Sequence, residues 1–317
     1  MKTFYLFITL FISNFVHAYP ISPNALKKLA ADSQVIVVAQ VESIDVGRSE
    51  IIQDGDSIET VNELSQANLV VLDVLKGNPE SIITVEFNKR ISCPAPASYQ
   101  EGTKVLAFLD KKPLVNKYST HARSYGAKTL NDVDLEIYVQ RIEEIQQILQ
   151  LKDKDEQRNE TIEWLVKCAE NKATRFEGLY DLYPQSELMS YYDRNEDTFT
   201  HKYKLTNNQK QRLRTVLLSI DKLDYGDFGL IDVVKESNDD ELIQFLISQF
   251  GKYNVGQLTR EKTYIIQYFM RYLSELTSNS DLADISQKYN RLYIFYEKEK
   301  EQVLDLVDEF SSVLDGI

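Results

Sequence analysis

The first half of the chain alternates between apolar and polar residues with the period of β-strands. Short segments rich in β-branched residues are separated by turn-forming residues such as Asp54-Gly55 and Gly77-Asn78-Pro79. The predicted strands are 34–45, 67–75, 82–87, 104–109 and 114–118. No segment between them is long and periodic enough for a crossover helix, so the pattern predicts a small antiparallel barrel or sandwich and disfavours a parallel sheet.

The segment between the first two of these strands, 45–68, is weakly patterned and acidic. It lacks the alternating oxygen ligands of a calcium-binding EF-hand loop. We expect a solvated loop here, with a long ragged strand as the alternative.

From residue 131 onward the apolar residues recur at the spacing of α-helices, three and four positions apart. The first stripe consists of Leu135, Val139, Ile142, Ile145 and Leu149. Capping-box patterns at Thr206–Gln209 and Asn238–Glu241 predict the starts of two later helices. Gly251 is expected to end the second of these helices. Residues 289–314 are predicted to form one last helical stretch. The pattern predicts about eight helices, arranged as a bundle or as an irregular HEAT-like stack.

The first 18 residues have the three parts of a secretory signal peptide. Lys2 supplies the positive charge, an uncharged apolar run follows, and Val16-His17-Ala18 forms a cleavage site before Tyr19-Pro20. The apolar run is shorter than the about 20 residues that a membrane-spanning helix needs, and no later segment is apolar for long enough. We therefore expect cleavage after Ala18, a periplasmic or secreted location, and no membrane span in the mature chain.

These patterns together predict an α+β protein of two domains. A signal peptide (1–18) and a lead-in (19–31) precede a small OB-like β-barrel (32–126), and an acidic α-helical domain (127–317) follows. The net charge is −13, and its acidic excess lies in the helical half. No basic stripe is present, which makes nucleic acid a poor partner.

Cofactor and metal chemistry find little support in the sequence. We find no P-loop, dinucleotide-binding glycine loop, G-x-S-x-G or H-E-x-x-H motif, and we expect no cofactor. The two cysteines, Cys93 and Cys168, and the scattered histidines do not have the spacing of a zinc site. In an oxidising compartment Cys93 and Cys168 could form a disulfide across the two domains, and two buried free thiols are the alternative. The prolines beside Cys93 disfavour a reactive thiol there.

Two polar stretches are candidate sites. The first contains Thr174, Arg175, Glu177 and Asp181, together with 191–194. Glu177 and Asp181 are four residues apart and share a helix face, which we expect to be solvated rather than catalytic. For Arg175 we expect a bidentate ion pair or a helix-end contact.

The second stretch contains His121 and Arg123, after the last predicted strand. A general base at His121, acting with Ser119 or Ser124, would need an orienting acid and an oxyanion site, and the sequence supplies neither. We interpret this stretch as a segment that joins the domains.

The predicted barrel resembles the TIMP-like or netrin-like OB-fold domains of exported bacterial proteins. The resemblance rests on 32–41 (DSQVIVVAQV), on 70–77 (VVLDVLKG) and on Cys93 followed by 101–109 (EGTKVLAFL). The helical half, through 163–170 and 173–180, looks like exported helical proteins without a known activity.

The chain departs from that family in two ways. Inhibitors of the TIMP type chelate the zinc of their target through an N-terminal cysteine, whereas the mature N-terminus here is predicted to be Tyr19-Pro20. The second cysteine that many relatives carry after the last strand is replaced by Tyr118-Ser-Thr-His121. The zinc-chelating mechanism and the usual disulfide within the barrel are therefore not expected.

We hypothesise a non-enzymatic binding or scaffolding protein that contacts a protein partner through the barrel loops or a helical groove. The alternatives are a hydrolase of envelope material, with carboxylates gathered by the fold, and an inhibitor of extracellular proteases that acts through the barrel loops.

Overall fold

The computed structural model shows an α+β protein. It describes residues 24–47, 49–54, 57–62, 64–88, 95–113, 117–182, 203–236, 239–253, 258–293 and 297–317. The predicted signal peptide, Cys93 and the 191–194 part of the polar stretch lie outside these residues.

A closed five-stranded barrel forms the N-terminal part. The strands are β1 (Val35–Asp45), β2 (Ser49–Asp54), β3 (Ser57–Asn62), β4 (Ser65–Lys76), β5 (Ile82–Phe87), β6 (Lys104–Lys111), β7 (Tyr118–Thr120) and β8 (Ala127–Lys128). The barrel order is β1-β4-β5-β7-β6, and β6 pairs back onto β1. The short β8 adds to β6 outside the ring.

One strand pair of the barrel departs from the predicted antiparallel arrangement. β5 and β7 pair in parallel over Val85–Tyr118 and Glu86–Ser119, whereas the other pairs are antiparallel. A ring with an odd number of strands cannot alternate direction all the way round, so closing five strands requires one parallel neighbour.

The acidic segment that we expected to be a loop is a β-hairpin instead. β2 and β3 pair antiparallel from Ser49–Asn62 to Asp54–Ser57, as a two-stranded ribbon outside the barrel. A strand that pairs on one edge and does not join the barrel has no need of an apolar face, which explains why alternation is missing from its sequence.

Strand β1 is buried on both faces. Val35, Val37 and Ala39 point into the barrel, where the interior is filled by apolar side chains from every strand of the ring. Ile36 and Val38 point outward, and with the outer face of β6 they belong to the same hydrophobic cluster as the helices. The helices therefore cover one side of the barrel.

Ten α-helices lie within the described residues, nine of them after the barrel, against the eight or so that we predicted. They are α1 (Leu26–Asp32), α2 (Asp132–Leu149), α3 (Lys154–Glu170), α4 (Arg175–Leu182), α5 (Asn207–Leu218), α6 (Phe228–Val234), α7 (Asp240–Tyr253), α8 (Arg260–Thr277), α9 (Ser280–Leu292) and α10 (Lys300–Leu314). The last predicted helical stretch is divided into α9 and α10, and this division lets α10 fold back and pack on α9.

The helix boundaries confirm the predicted start of α5 and show that the predicted end of α7 is wrong. Thr206 and Gln209 form the expected capping box at the start of α5. Gly251 does not end α7, which continues to the buried Tyr253. The side-chain amide of Gln249, in the same last turn, donates to the carbonyl oxygen of Asp221 at 2.8 Å. These tertiary contacts outweigh the weak helix propensity of glycine.

Among the residues that the structure describes, no helix is both long enough and apolar enough to span a membrane.

Candidate functional site

The first predicted polar stretch lies on α4, and the expectation that its acidic face is solvated is wrong. Glu177 and Arg175 are 1% and 6% exposed, and the side chain of Asp181 is 14% exposed. The face is buried because α1, β8 and α2 pack around it, which spacing along the chain could not reveal.

Glu177 is fully engaged by groups from three other elements. Its Oε2 accepts the backbone N–H of Leu26, the first residue of α1, at 2.7 Å. Its Oε1 accepts Lys128 Nζ from β8 at 2.9 Å and the Tyr138 hydroxyl from α2 at 3.0 Å. A negative charge at a helix N-terminus is favourable, and this carboxylate serves as the cap that Ala25 cannot supply.

The phenol of Tyr138 remains a donor in this cluster. Burial raises its pKa strongly, and the negative charge of Glu177 raises it further. The ammonium of Lys128 also lies 5.4 Å from the centre of the Tyr138 ring, within cation–π range. The three side chains therefore form one charge-balanced unit between the barrel and the helices.

Asp181, one turn after Glu177, binds the same helix α1. Its Oδ2 lies 2.5 Å from Lys27 Nζ, which also donates to the Tyr203 hydroxyl at 3.1 Å. Burial lowers the pKa of Lys27, but the charge of Asp181 and the hydrogen bonds to Asp181 and Tyr203 outweigh this, and the net pKa is raised. Lys27 therefore stays charged, and both acidic residues of α4 hold α1 in place.

Of the two alternatives that we expected for Arg175, the helix-end contact is confirmed, and the ion pair is present but is formed by Nη1 alone and is not bidentate. Arg175 forms a buried ion pair with Asp227, just before α6, and its Nε donates to the carbonyl oxygen of Ala169 at 3.1 Å near the end of α3. A cation at a helix C-terminus satisfies carbonyl groups that have no partner within the helix. Thr174, beside it, donates to the carbonyl oxygen of Cys168 at 3.0 Å. Arg175 and Thr174 therefore join α4 to the end of α3, and Arg175 also joins α4 to the start of α6.

His121 and Arg123, the second predicted polar stretch, lie on the barrel and not on α4. His121 Nδ1 is 2.8 Å from Asp110 Oδ2 on β6, so the fold provides the acidic partner that the sequence did not indicate. Within the described residues no hydrogen bond joins His121 to Ser119 or Ser124, and the geometry of a catalytic triad is not formed. Arg123 is exposed at the start of a short 3₁₀ turn.

Cys168 is buried on α3, and it forms no disulfide with any residue that the structure describes. Burial raises its pKa well above the ordinary value, so the nucleophilic thiolate is disfavoured. Because Cys93 lies outside the described residues, the proposed Cys93–Cys168 disulfide stays a prediction.

A groove in the helical half is the largest candidate binding site that we find. Its larger cavity, about 630 Å³, lies where the chain enters α5 and passes α6. Leu182, Leu205 and Val233 provide apolar lining, and Lys204 and Lys210 are exposed on it. Cavities of this size are typical of ligand pockets.

The charged residues of the larger cavity differ in how far they are already paired. Lys235 is paired with Asp232 at 3.2 Å and with Glu275 at 3.0 Å. Lys204 and Lys210, by contrast, form no ion pair within the described part of the chain. They are the uncompensated cations of the groove.

A second cavity of about 450 Å³ continues the groove and shares Asn207 and Lys210 with the first. Here Arg214 is held by Asp239 and, at 2.8 Å, by Glu241. The hydrogen bonds of Arg214 lower the pKa of Asp239, whose carboxylate therefore stays ionised. With Glu236 and Asp240 exposed nearby, this end of the groove is negative.

The groove had no signature in the sequence apart from the Thr206 capping box, which fixes the start of α5. Its residues come from four separate segments, and none carries a motif. Across the described residues no group of three or more His, Cys, Asp or Glu side chains is placed to hold a metal ion.

Comparison with known proteins does not identify the chain: no family model matches it, and no curated protein is significantly similar to it.

Proposed function

We propose that this chain is an exported binding protein whose helical groove takes an acidic segment of a partner protein. The observation that carries the proposal is the pair of adjoining cavities along α5, about 630 and 450 Å³, which share Asn207 and Lys210. A groove of this length suits several consecutive side chains of a peptide better than one small molecule.

The lining of the larger cavity indicates the chemistry of the partner segment. Leu182, Leu205 and Val233 would desolvate apolar side chains, and the unpaired cations of Lys204 and Lys210 would attract a carboxylate. The chain as a whole carries a net charge of −13, so this local positive charge is contrary to the surrounding field and selects for an anion.

The opposite charge of the smaller cavity sets a direction for the bound segment. Acidic side chains are expected beside Lys204, and basic ones beside Glu236 and Asp240. Complementary charge of this kind fixes register and excludes partners that bind in reverse.

Reversing the charges of Lys204 and Lys210 is expected to lower partner recovery strongly. In affinity capture from an envelope or culture-supernatant fraction, K204E/K210E should recover about tenfold less of any protein that the unchanged chain enriches, because two like charges would face the acidic segment. The matched control K152E/K298E makes the same change of net charge at exposed positions outside the groove and should retain capture. Equal recovery by both double variants would contradict the proposal.

A crosslinking measurement locates the contact directly. A photoreactive amino acid in place of Leu205, which lines the larger cavity, should crosslink to the captured partner. A crosslink to residues 183–202 of the same chain, without any partner, would mean that the groove is filled from within and would overturn the proposal.

The barrel is proposed to be OB-like and related to the TIMP-like or netrin-like domains. Counted around the ring alone, β1, β4, β5, β6 and β7 are the first to fifth barrel strands, and their spatial order is 1-2-3-5-4 with closure of the fourth onto the first. This order supports the proposal, because it is the arrangement of a five-stranded Greek-key barrel of OB type. The relation to the named family rests on the sequence motifs.

Export is tested by the mature N-terminus. When the complete chain is expressed in a host with a secretory pathway, the protein recovered outside the cytoplasm should begin at Tyr19, because Val16-His17-Ala18 forms the cleavage site. Intact mass spectrometry measures this, and a spectrum recorded without reductant also reports whether Cys93 and Cys168 have lost two hydrogens to a disulfide. Recovery of the full-length chain from the cytoplasm would refute the export proposal.

The role of the carboxylates favours binding over hydrolysis. A hydrolase of the kind that we considered needs one carboxyl group with a raised pKa beside a second that is ionised. Glu177 and Asp181 are occupied by ion pairs with Lys128 and Lys27, and Asp239 in the groove has a lowered pKa. These groups hold the fold together or shape the groove.

A further inference from the structure

A third and smaller cavity, of about 190 Å³, opens in the barrel wall, beside the end of β5 and along β7. Phe87, Pro96 and Ala97 provide its apolar lining. Ser119 and Arg123 provide polar lining. The volume is less than half that of either cavity of the groove, so the cavity suits a single apolar group and not an extended segment.

The turn that carries Arg123 has an unusual backbone. Ala122 and Arg123 both adopt left-handed conformations, with φ of 53° and 56°, which residues other than glycine rarely do. The turn is tied to the barrel because the N–H of His121 donates to the carbonyl oxygen of Phe108 at 2.8 Å. It is also tightly packed: a Cβ on Gly126 would lie 1.9 Å from the carbonyl oxygen of His121. The backbone position of Arg123 is therefore fixed by its surroundings.

The charged residues beside the cavity leave the guanidinium of Arg123 able to bind the carboxylate of a ligand. Glu86, which also lines the cavity, is bound by Lys112 and by Lys117 at 2.8 Å, and these contacts lower its pKa. Its negative charge is therefore more than compensated. Arg123 is exposed and forms no ion pair with any described residue, so its planar guanidinium can present two parallel N–H donors to a carboxylate.

We propose that this cavity binds a carboxylate that carries one apolar group of up to about leucine size. The apolar group would fill the space against Phe87, Pro96 and Ala97, and the carboxylate would pair with Arg123 at the rim. Two sources present this chemistry: a free small acid, and the last residue of a peptide with its terminal carboxylate. The site is separate from the helical groove and does not depend on it.

The test uses the mature chain and N-acetyl-leucine as the probe, titrated by calorimetry or NMR. N-acetyl-leucinamide has the same apolar group without the carboxylate and should bind at least about tenfold more weakly. Arg123→Gln should weaken the binding of N-acetyl-leucine by a similar factor, and Arg123→Lys should weaken it less, because it keeps the charge but loses the two-pronged geometry. The control Arg158→Gln, at an exposed position on α3, should leave binding unchanged.

Each outcome bears on the proposal. Equal affinity for the acid and the amide, an unchanged affinity in Arg123→Gln, or no binding of N-acetyl-leucine would overturn it. Because Arg123 is exposed, the variants should keep the thermal midpoint of the unchanged protein, which a melting curve checks. The groove variant K204E/K210E should bind N-acetyl-leucine normally, so failure at one site is distinguishable from failure at the other.

A short peptide that ends in leucine separates the two sources. Tighter binding of the peptide than of N-acetyl-leucine would assign the site to the C-terminus of a polypeptide. Equal or weaker binding would assign it to a free acid.

Discussion

Gly178→Ala is expected to destabilise the protein by about 3 kcal/mol, the upper part of the range for overpacked positions. Gly178 lies where α4 crosses α3. A Cβ there would be 2.3 Å from the carbonyl oxygen of Leu165 and 2.5 Å from the backbone nitrogen of Ala169. Both are backbone atoms inside a regular helix, so they cannot move aside as the end of a flexible side chain could. The helices must separate instead, and the contacts of Arg175 and Glu177 are strained with them.

The matched control is Gly251→Ala on α7, where an added Cβ would meet nothing within 4 Å. Alanine is the better helix former by about 1 kcal/mol, so this variant should be as stable as the unchanged protein or slightly more stable. Urea denaturation monitored by circular dichroism gives both values. If the two variants lost stability equally, close packing of α4 on α3 would not be the cause.

Glu177→Leu is expected to cost about 3 kcal/mol of folding free energy, because it removes one partner of a buried ion pair. Lys128 Nζ, the Tyr138 hydroxyl and the backbone N–H of Leu26 would each lose an acceptor at once. Glu177→Gln keeps the shape and one acceptor oxygen, so a smaller loss is expected for it.

A second substitution separates the lost charge balance from lost packing. Lys128→Met added to Glu177→Leu removes both charges, and it should recover a large part of the loss. Asp284→Asn breaks an exposed pair with Lys288 on α9 and should leave the unfolding midpoint unchanged. A double variant as unstable as the sum of its parts would mean that Glu177 and Lys128 do not act as a pair.

Local patterns predicted the regular elements well where one face of an element is buried. The alternation of 82–87 gave β5 with the bounds that the structure shows, and Thr206–Gln209 gave the start of α5. The β2–β3 hairpin was not predicted, because it stands outside the barrel and its sequence has no alternating apolar face. The continuation of α7 past Gly251 depends on the burial of Tyr253, which is a tertiary effect.

The sequence indicated which residues were candidates for a site, but not which groups they contact or how deeply they are buried. The spacing of Glu177 and Asp181 correctly placed them on one helix face, but both bind α1, which is far away along the chain: Leu26 is 151 positions from its partner Glu177. The contact of His121 with Asp110 could not be predicted either, because it depends on the pairing of β6 with β7. Burial and charge compensation are properties of the assembled fold, so no local window could reveal them.

The two-sided burial of β1 also has a consequence for the order of synthesis. The inward side chains of β1 find their neighbours once β4, β5 and β6 have left the ribosome. The cluster that contains outward Ile36 and Val38 begins with α1, but most of its residues belong to the helices that follow the barrel. Until those helices are made, a partly complete barrel presents an incompletely covered apolar strip. An incomplete chain of this kind is prone to aggregate. The helical half therefore has a protective role for the barrel while the polypeptide is still being made.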